Sequence, residues 1–508
     1  MKRRLNPFAL PSLADRPISH AIKDTADTTL GKRVEPLCAQ HPGNCGVRLL
    51  TFGKDAFAAR ALLARAAERT LDVQYYIWHD DLSGNLLLDE LRSAAARGVR
   101  VRLLLDDNGI GGLDEVLAEL VTHRNITVRI FNPFKIRSPK AVNFLFDFRR
   151  LNRRMHSKSF IVDNQVVIVG GRNTGDEYFD ARQDGLFADM DAMVIGSVVE
   201  ETSHLFDCFW NSRWAFAAQS IVHSTSEDNK QAVRHRAALG SDSVAAHRYR
   251  QALQERPIFE ALKEGALDLQ WAPMRLIADD PEKVAGIGTR GSNMLADLSQ
   301  MIGQPQEELD LISGYFVPTV AGARRFIDLA RQGVTVRVLT NSYAATDVAV
   351  VHAGYAPYRK RLLRAGVQLF EMPAPGDQPK RTRKFVRGAA GGSQARAVTG
   401  STLHAKAFAV DRQRLFVGSF NIDPRSANLN TELGVVIESE VLAGRITHIF
   451  TDEIAKNSYR LALNDNDDIC WIDERDDEPR QEAVEPGTSV LSRAIVNILS
   501  HLPIERYL

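Results

Sequence analysis

The chain has 508 residues, 44% of them hydrophobic and 25% charged, which is typical of globular proteins with two or more domains. Its 64 basic and 63 acidic residues give a net charge of +1, which disfavours a nonspecific nucleic-acid binder. Four cysteines are too few for a disulfide scaffold. We expect Cys38 and Cys45 to be reduced, although a small bridge between them is conceivable. No apolar run of about eighteen residues is present, so no spanning helix is expected.

Residues 1–45 show no clear periodicity and predict an irregular N-terminal arm. Beyond them, strands and helices alternate, which favours a mixed or parallel sheet covered by helices. The predicted helices are Ala56–Arg69, Gly84–Arg97, Leu113–Val121 and Ser197–Trp214, and the predicted strands are Leu71–Trp78, Val99–Leu105, Ile126–Phe131, Ser159–Val162, Val166–Val169 and Ala188–Ile195. Gly98 follows a predicted helix directly and is expected to end it.

Residues 216–265 are predicted to connect two halves of the chain, because most of them are polar and only Tyr249–Leu262 favours a helix. The pattern then restarts, with Gly333 in the place of Gly98. The second series comprises the strands Leu309–Val317, Val334–Leu339 and Val367–Phe370 and the helices Ala321–Arg331 and His352–Leu363. The repetition predicts an α/β fold of two similar α-β-α domains, residues 46–215 and 266–470, related by a pseudo-two-fold axis.

One polar pattern occurs twice, at equivalent places in the two halves. It reads H-x-K-x4-D-x6-G-(G/S)-x-N and comprises His156, Lys158, Asp163 and Asn173 in the first copy and His404, Lys406, Asp411 and Asn421 in the second. On a strand, residues two apart share a face, so the histidine and lysine of each copy point the same way. An imidazole can attack or carry protons near neutral pH, and an ammonium supplies a fixed positive charge. Two such sets facing each other suit one tetrahedral anion, most naturally a phosphate diester.

This doubled pattern is the HKD motif of the phospholipase D superfamily, which the chain resembles over roughly residues 36–508. The phrases Leu71–Trp78, Leu151–Met155, Leu339–Ser342 and Gly418–Ser426 narrow the resemblance to bacterial cardiolipin synthases of the C type. The resemblance implies two phospholipase D-like domains whose motifs meet at their interface.

The same resemblance implies a double displacement through a phosphohistidine. His156 is expected to be the nucleophile and His404 the general acid and base, although the near symmetry of the halves leaves the reverse assignment open. The resemblance places four groups on the phosphoryl oxygens, namely Lys158, Lys406, Asn173 and Asn421. It implies no metal and no cofactor, because the lysines supply the positive charge.

The carboxylates of the motif region have separate expected roles. Asp163 and Asp411 complete the catalytic motif, but we expect them to shape the turn between the motif strands. Each histidine also needs a partner for its second ring nitrogen. By resemblance, Glu432 fits the histidine of its own half, and Asp191 fits that of the first half, with Asp189 as the alternative to Asp191.

The function implied is a cardiolipin synthase that transfers a phosphatidyl group from phosphatidylethanolamine to phosphatidylglycerol. The alternative is a phospholipase D or phosphodiesterase, in which water is the acceptor, because the same residues serve both reactions. The near-neutral charge disfavours a nuclease, and two intact motifs disfavour a non-catalytic scaffold. The expected location is the cytoplasmic face of the bacterial inner membrane, with peripheral contact. Some synthases of this group are helped by a neighbouring protein.

Three segments are candidates for contact with lipid. Phe134–Lys158 holds eight basic residues against one acid, and Lys380–Arg396 is also basic, so both could bind an anionic bilayer or could be solvated loops. The C-terminal tail, residues 471–508, contains an amphipathic helical pattern from Val490 to Leu502. That helix could lie in a membrane interface or could cover the protein body.

Overall fold

Two large sheets, one from each half of the chain, form the framework of the protein. The computed structural model describes residues 10–13, 16–182, 186–223, 225–286, 294–302, 305–374, 377, 401–476 and 478–500. The sheets face each other across a shared apolar core, and helices cover their outer faces. The predicted α/β fold of two phospholipase D-like domains is confirmed.

The first half carries a nine-stranded sheet in the order β10-β1-β8-β6-β5-β2-β3-β4-β9. The strands of the first half, of which β7 lies outside this sheet, are β1 Cys45–Leu50, β2 Thr70–Ile77, β3 Arg100–Gly109, β4 Ile126–Phe131, β5 Ser159–Val162, β6 Val166–Gly170, β7 Leu186–Ala188, β8 Asp191–Ile195, β9 Ala215–Ala217 and β10 Gln270–Ala272. Its helices are α1 Thr29–Gln40, α2 Gly53–Ala66, α3 Leu82–Ala96, α4 Asp114–Leu120, α5 Phe144–Leu151, α6 Ser197–Asn211, α7 Glu227–Ser241, α8 Val244–Gln254 and α9 Pro257–Glu264. The central strands are buried on both faces, which explains their nearly continuous apolar sequences.

The second half carries a ten-stranded sheet in the order β11-β18-β17-β16-β12-β13-β14-β19-β20-β21. The strands of the second half, of which β15 lies outside this sheet and pairs with β7, are β11 Met274–Ala278, β12 Glu308–Ser313, β13 Thr335–Asn341, β14 Gln368–Met372, β15 Ser401–Leu403, β16 Lys406–Val410, β17 Arg414–Gly418, β18 Leu433–Glu438, β19 Tyr459–Leu463, β20 Ile469–Asp473 and β21 Arg480–Glu482. Its helices are α10 Met294–Ile302, α11 Thr319–Arg331, α12 Ala349–Tyr355, α13 Arg359–Arg364, α14 Pro424–Asn428, α15 Glu440–His448, α16 Ala455–Asn457 and α17 Val490–Ser500.

The two halves repeat the same strand pairing around the motif strands. In each half a central strand is parallel to one neighbour and antiparallel to the first motif strand: β2 to β3 and β5, and β12 to β13 and β16. Gly98 and Gly333 follow equivalent helices with φ of +101° and +93°, a conformation that glycine adopts without strain. The predicted duplication of a whole structural unit is therefore visible in the backbone.

Backbone from each half crosses to the motif of the other half. The short strand β7 of the first half pairs in parallel with β15, which leads directly to His404. On the opposite side, Met155, next to His156, forms a parallel bridge with Thr431. The amide of His156 donates to the carbonyl of Thr431 at 2.9 Å, and the amide of His404 donates to the carbonyl of Ala188 at 2.8 Å. Each catalytic segment is thus fixed by the opposite domain.

Several predicted elements were wrong. The N-terminal arm is not irregular throughout, since α1 forms where the Thr28 side chain accepts from the amide of Gly31. The predicted single strand over Ala188–Ile195 is interrupted at Asp189 and Met190 because β7 leaves the large sheet to pair with β15. The predicted helix His352–Leu363 is divided between α12 and α13 at Ala356–Tyr358, which contains Pro357.

The predicted connection, residues 216–265, contains the helices α7, α8 and α9, which pack on α2, α3 and α4 of the first half. Serine caps that the prediction overlooked, Ser226 and Ser243, begin α7 and α8. Near the predicted domain limits, β10 pairs with β1, and β19–β21 extend the second sheet beyond residue 470. The exact division into domains stays a prediction. Cys38 and Cys45 are free thiols, as expected.

Candidate active site

The two motifs meet in one buried site at the interface of the sheets. Only 8% of the surface of His156 and 9% of that of His404 is exposed. Lys158 and Lys406 are almost completely buried. The charges of Lys158, Lys406 and His404 all lower the pKa of His156, in addition to the larger effect of burial. Groups that are nearly 250 residues apart in sequence therefore act on one small volume.

Each histidine is held by a carboxylate from the opposite half. His156 Nδ1 is hydrogen-bonded to Glu432 Oε2 at 2.7 Å, and His404 Nδ1 is hydrogen-bonded to Asp189 Oδ2 at 2.5 Å. Both carboxylates are fully buried. A carboxylate on Nδ1 fixes the ring orientation and leaves Nε2 directed toward the reacting group. Neither domain could therefore orient its own histidine alone.

The predicted pairing of histidines and carboxylates was wrong. Glu432 holds His156, not the histidine of its own half, and Asp189 holds His404. Asp191, the predicted partner of His156, instead forms ion pairs with Arg60 at 2.9 Å and Arg172 at 3.3 Å. The physical reason is the strand order: Asp189 and Glu432 lie just before β8 and β18, where the chain has crossed to the other half.

The two carboxylate sites differ at the residue after the glycine that both motif copies share. In the second half, Ser419 Oγ donates to Glu432 Oε2 at 2.5 Å and so helps to hold the carboxylate. In the first half, Gly171 stands at this position, and an added Cβ would come within 2.3 Å of Asp189 Oδ1. The glycine leaves room for the shorter aspartate, whereas the serine supports the longer glutamate. The Gly-Ser difference between the motifs was the available sequence signal for this asymmetry.

The ionisation of the two pairs is also asymmetric. Burial raises the pKa of Glu432 and lowers that of His156, so this pair favours a neutral imidazole. Burial alone would raise the pKa of Asp189, but His404, Lys406 and Arg172 together lower it well below its usual value. Burial and Lys406 lower the pKa of His404, while Asp189 opposes them. A neutral His156 suits a nucleophile, and an anionic Asp189 suits a histidine that must carry a proton.

The lysines lie beside the histidines, as the alternation on a strand requires. Lys158 Nζ donates to the carbonyl of His156 at 2.5 Å, and Lys406 Nζ donates to the carbonyl of His404. Burial lowers the pKa of both lysines, that of Lys158 to about 7, although Glu432 opposes the change. The protonated forms are therefore held at a cost that an anion would relieve.

This lowered pKa predicts pH-dependent anion binding. Protonated Lys158 attracts a phosphodiester, and the proton is lost as pH rises through about 7. We expect the affinity for dibutyl phosphate, whose own charge is constant, to fall by about tenfold between pH 6 and pH 8. Isothermal titration calorimetry would measure it. In Lys158→Met the decline should be much smaller, whereas the surface control Lys230→Met should behave as the wild type; a flat wild-type profile would contradict the prediction.

The motif asparagines have different contacts. Asn173 Oδ1 accepts from the amide of Ile77 at 3.2 Å, and its Nδ2 donates to Tyr178 Oη at 3.1 Å. Asn421 Oδ1 is buried without a hydrogen-bond partner among the described residues. A phosphoryl oxygen accepts hydrogen bonds, so the group that could bind it is the Nδ2 of each amide and not the unpaired Oδ1 of Asn421. The Nδ2 of Asn173 would have to exchange its bond to Tyr178. The phosphate-binding role of both residues stays a prediction.

The motif aspartates lie at the far end of the motif strands and have structural contacts. Asp163 accepts from the backbone amides of residues 68, 69 and 70, just before and at the start of β2. Asp411 accepts in the same way from the amides of residues 306, 307 and 308, just before and at the start of β12. These bonds support the expected structural role of Asp163 and Asp411. The inclusion of the two aspartates in the catalytic set is wrong, because their carboxylates are engaged away from the histidines.

Three aromatic residues of the site were missed by the sequence reasoning. The ring of Tyr76 contacts His156 edge-on at 5.0 Å, and Lys158 Nζ lies 5.4 Å from the centre of the same ring. Tyr178 and Phe187 contact His404 at 5.2 and 5.3 Å. Tyr76 lies within the phrase Leu71–Trp78, but nothing in the spacing indicated Tyr178 or Phe187. The rings surround the imidazoles with apolar surface and keep water away from them.

A family profile described as "Cardiolipin synthase, PLD-like domain" matches residues 60–210 and 298–454, which together exceed half of the chain. The chain belongs to this family. The family's phospholipase D-like domains therefore account for both motifs, and the predicted superfamily and enzyme class, a phosphatidyltransferase, are confirmed.

Known proteins similar to this chain include two cardiolipin synthases. The chain is 46% identical over 476 residues to cardiolipin synthase C of Escherichia coli (strain K12), covering 94% of this chain and 99% of that one. It is 24% identical over 416 residues to a cardiolipin synthase of Listeria monocytogenes, covering 82% and 70%. A crystal structure of phosphatidylserine synthase from Haemophilus influenzae has a TM-score of 0.55 at 14% identity, covering 85% and 91%, and shows the likeness of fold.

Proposed function

We propose that the chain synthesises cardiolipin by transferring a phosphatidyl group from phosphatidylethanolamine to phosphatidylglycerol. The observation that carries the proposal is the pair of histidines, each braced by a carboxylate of the opposite half, in one buried site beside two lysines. The similarity to cardiolipin synthase C over nearly the whole chain supports the product.

In the first step, His156 Nε2 attacks the phosphorus of the donor and forms a P–N bond. The P–O bond to ethanolamine breaks, and His404 gives its Nε2 proton to the leaving oxygen. In the second step, a primary hydroxyl of phosphatidylglycerol attacks the same phosphorus and its proton passes to His404. The P–N bond then breaks and restores neutral His156. Lys158 and Lys406 stabilise the charge on the phosphoryl oxygens throughout.

Transfer must compete with hydrolysis, since water could also attack the phosphohistidine. Two features support transfer: both histidines are buried, and the rings of Tyr76, Tyr178 and Phe187 contact them. Together they limit the access of water to the phosphohistidine while lipid occupies the site. The alternative, a phospholipase D, needs an open path for water to the same phosphorus atom.

The test uses purified protein and mixed vesicles of the two lipids, with label in the ethanolamine headgroup and in the glycerol headgroup. Cardiolipin with free ethanolamine supports the proposal. Cardiolipin with free glycerol from phosphatidylglycerol alone would identify a different donor, and phosphatidic acid without cardiolipin would favour the hydrolase. His156→Ala controls for contaminating activity.

We propose peripheral contact with the cytoplasmic face of the bacterial inner membrane. Among the described residues, no helix is both long and apolar enough to cross a bilayer. Two short helices instead expose apolar side chains. On α5, Leu145 is 80% and Phe146 67% exposed, and exposed Arg149 lies beside them. An apolar tip next to a cation is the composition expected for contact with an anionic interface.

Most of the basic residues around α5 are engaged within the protein, which narrows the predicted lipid contact. Arg154 pairs with Asp106, Arg137 with Asp107 and Asp114, and Arg150 with Asp147. The lipid contact that was predicted for the whole segment Phe134–Lys158 is therefore limited to α5. The second predicted basic segment, Lys380–Arg396, lies outside the described residues.

The tail helix α17 packs with its mainly polar side against the protein, so its apolar stripe does not cover the body. Ser492, Val496 and Asn497 face a cavity shared with Tyr343 and Pro357. The exposed apolar residues are Val490, Leu491, Ile495 and Ile498. Just before the helix, Glu485 is paired with Arg359 at 2.8 Å and His352 at 2.9 Å and anchors the tail. The tail is thus held with its apolar side outward, which favours the interfacial alternative.

Substitutions on these two helices should weaken vesicle binding. We expect Leu145→Ser with Phe146→Ser, or Leu491→Ser with Ile498→Ser, to lower the partition coefficient onto phosphatidylglycerol vesicles by about tenfold or more. Each double substitution removes apolar surface that would be buried in the lipid, and burial of such surface contributes about 25 cal/mol per Å² to the free energy of binding. Sedimentation with vesicles measures it. The matched control is Leu239→Ser with Val244→Ser, which are 60% and 67% exposed on α7 and α8. Equal losses in control and test variants would contradict the proposal.

A further inference from the structure

A cavity of about 570 Å³ lies between the two halves, on the side where β7 pairs with β15. Both halves build its mostly apolar wall, which includes Leu49, Met190, Ile312, Leu339, Leu403 and Ile449. Its size lies within the range of about 300 to 1,000 Å³ that small-molecule sites occupy. The cavity is not needed for the histidine chemistry described above.

Asp189 connects this cavity to the active site. Asp189 lines the cavity, while its carboxylate has no exposed surface and, through Oδ2, holds His404 Nδ1 at 2.5 Å. The cavity therefore adjoins the residue that orients His404. An apolar occupant would keep water from the wall next to this buried pair, where charges interact more strongly than in water.

The rim of the cavity carries charges of both signs. Arg48 and exposed Arg445 supply positive charge, and Asp268 and Glu453 supply negative charge. A fifth rim group, Asp55, is already paired with an arginine outside the cavity. These charges lie where the cavity meets solvent, while its apolar interior can receive a hydrocarbon chain.

The helix along one wall departs from α-helical geometry at the cavity. After α15, residues Ile449–Ile454 form a π-helical turn, and its Ile449, Glu453 and Ile454 line the cavity. Such turns are rare in proteins, and those that occur are often found at functional sites. They widen the helix and disrupt its regular hydrogen bonding. The distortion thus falls where the wall must be shaped around an occupant.

We propose that this cavity binds one acyl chain of a phospholipid substrate. The inference rests on the proposed function, which supplies the substrate class. The chain fills the interdomain cavity next to Asp189 and positions its lipid relative to the paired histidines. The cavity accordingly makes transfer depend on acyl-chain length.

The test narrows the cavity and compares lipids of different chain length. Leu49→Trp and Ile449→Trp replace partly exposed wall residues, so the indole can enter the cavity without replacing a core side chain. The matched control is Leu276→Trp, because Leu276 on β11 occupies the position equivalent to Leu49 on β1 and is partly exposed as well. Cardiolipin formation is measured with dioleoyl and with dihexanoyl lipids, changing the donor and the acceptor one at a time.

We expect the wall variants to lose about 10- to 100-fold in rate with the dioleoyl form of one lipid and to keep the control's rate with the dihexanoyl form. The lipid whose chain length matters identifies the occupant. A chain-length profile equal to that of Leu276→Trp would overturn the inference. Wild-type protein that makes no cardiolipin from either lipid would instead refute the proposed function.

A second measurement uses the wild-type protein and tests the inference even if the tryptophan variants fail to fold. Phosphatidylglycerol and phosphatidylethanolamine with a diazirine at the end of one chain are photolysed with wild-type protein. Label on the peptides of β13 and α15 is the expected result, and label confined to α5 and α17 would overturn the inference. Unlabelled oleic acid and unlabelled phospholipid are then added as competitors at equal bulk concentration. If oleic acid abolishes the label and phospholipid does not, the site binds free fatty acid and the inference is overturned.

Discussion

Replacing His156 with alanine is expected to reduce phosphatidyl transfer by about 10⁴-fold or more, because the P–N bond of the intermediate can then not form. Replacing His404 with alanine should cost about 10²- to 10⁴-fold with phosphatidylethanolamine, whose leaving alkoxide needs a proton. The neutral state favoured at His156 and the anionic state favoured at Asp189 both support this division of roles.

A donor with a p-nitrophenol leaving group separates the two roles. That leaving group departs without a proton, so His404→Ala should release nitrophenol in a burst and retain a phosphatidyl group on His156. Mass spectrometry of peptides prepared under alkaline conditions would locate the adduct. The His156→Ala protein serves as the control, and an adduct on its His404 would show that the roles are reversed.

The second large effect concerns the crossed carboxylates. Asp189→Asn and Glu432→Gln are each expected to lower transfer by about 10²- to 10⁴-fold, because a carboxylate that orients a catalytic imidazole and stabilises its charge contributes on that scale. Nitrogen NMR of labelled histidine tests the pairing directly. Asp189→Asn should shift the Nδ1 resonance of His404, and Glu432→Gln that of His156. A shift of the His404 resonance in Glu432→Gln would restore the pairing expected from sequence.

Asp191→Asn is the control for general damage at this interface. Asp191 is buried and paired with Arg60 and Arg172, so the substitution leaves two buried cations short of a partner. We expect the free energy of unfolding to fall by about 3 to 5 kcal/mol, measured by urea denaturation. The histidine resonances of the folded fraction should stay in place. Their displacement would show that Asp191 orients a histidine after all.

Much of the fold could be predicted because its causes are local. Apolar runs of strand length, such as Leu71–Trp78, and glycines at helix ends, such as Gly98, depend on neighbouring residues only. The errors lie where distant pairing decides the structure. Residues Ala188–Ile195 have one continuous strand pattern, yet Asp189 leaves the sheet because β7 finds its partner in β15, more than two hundred residues later.

The chemistry of this protein can be read from its residue pattern: two copies of a histidine, a lysine and an asparagine at equal spacing, within two similar α/β units. Spacing along a strand places His156 and Lys158 on one face whatever surrounds them. Which carboxylate binds which histidine depends instead on how the two halves pack together. The domains exchange Asp189 and Glu432 across their interface because strand ends of each half pair with the other, and no local pattern records a partner in the opposite domain.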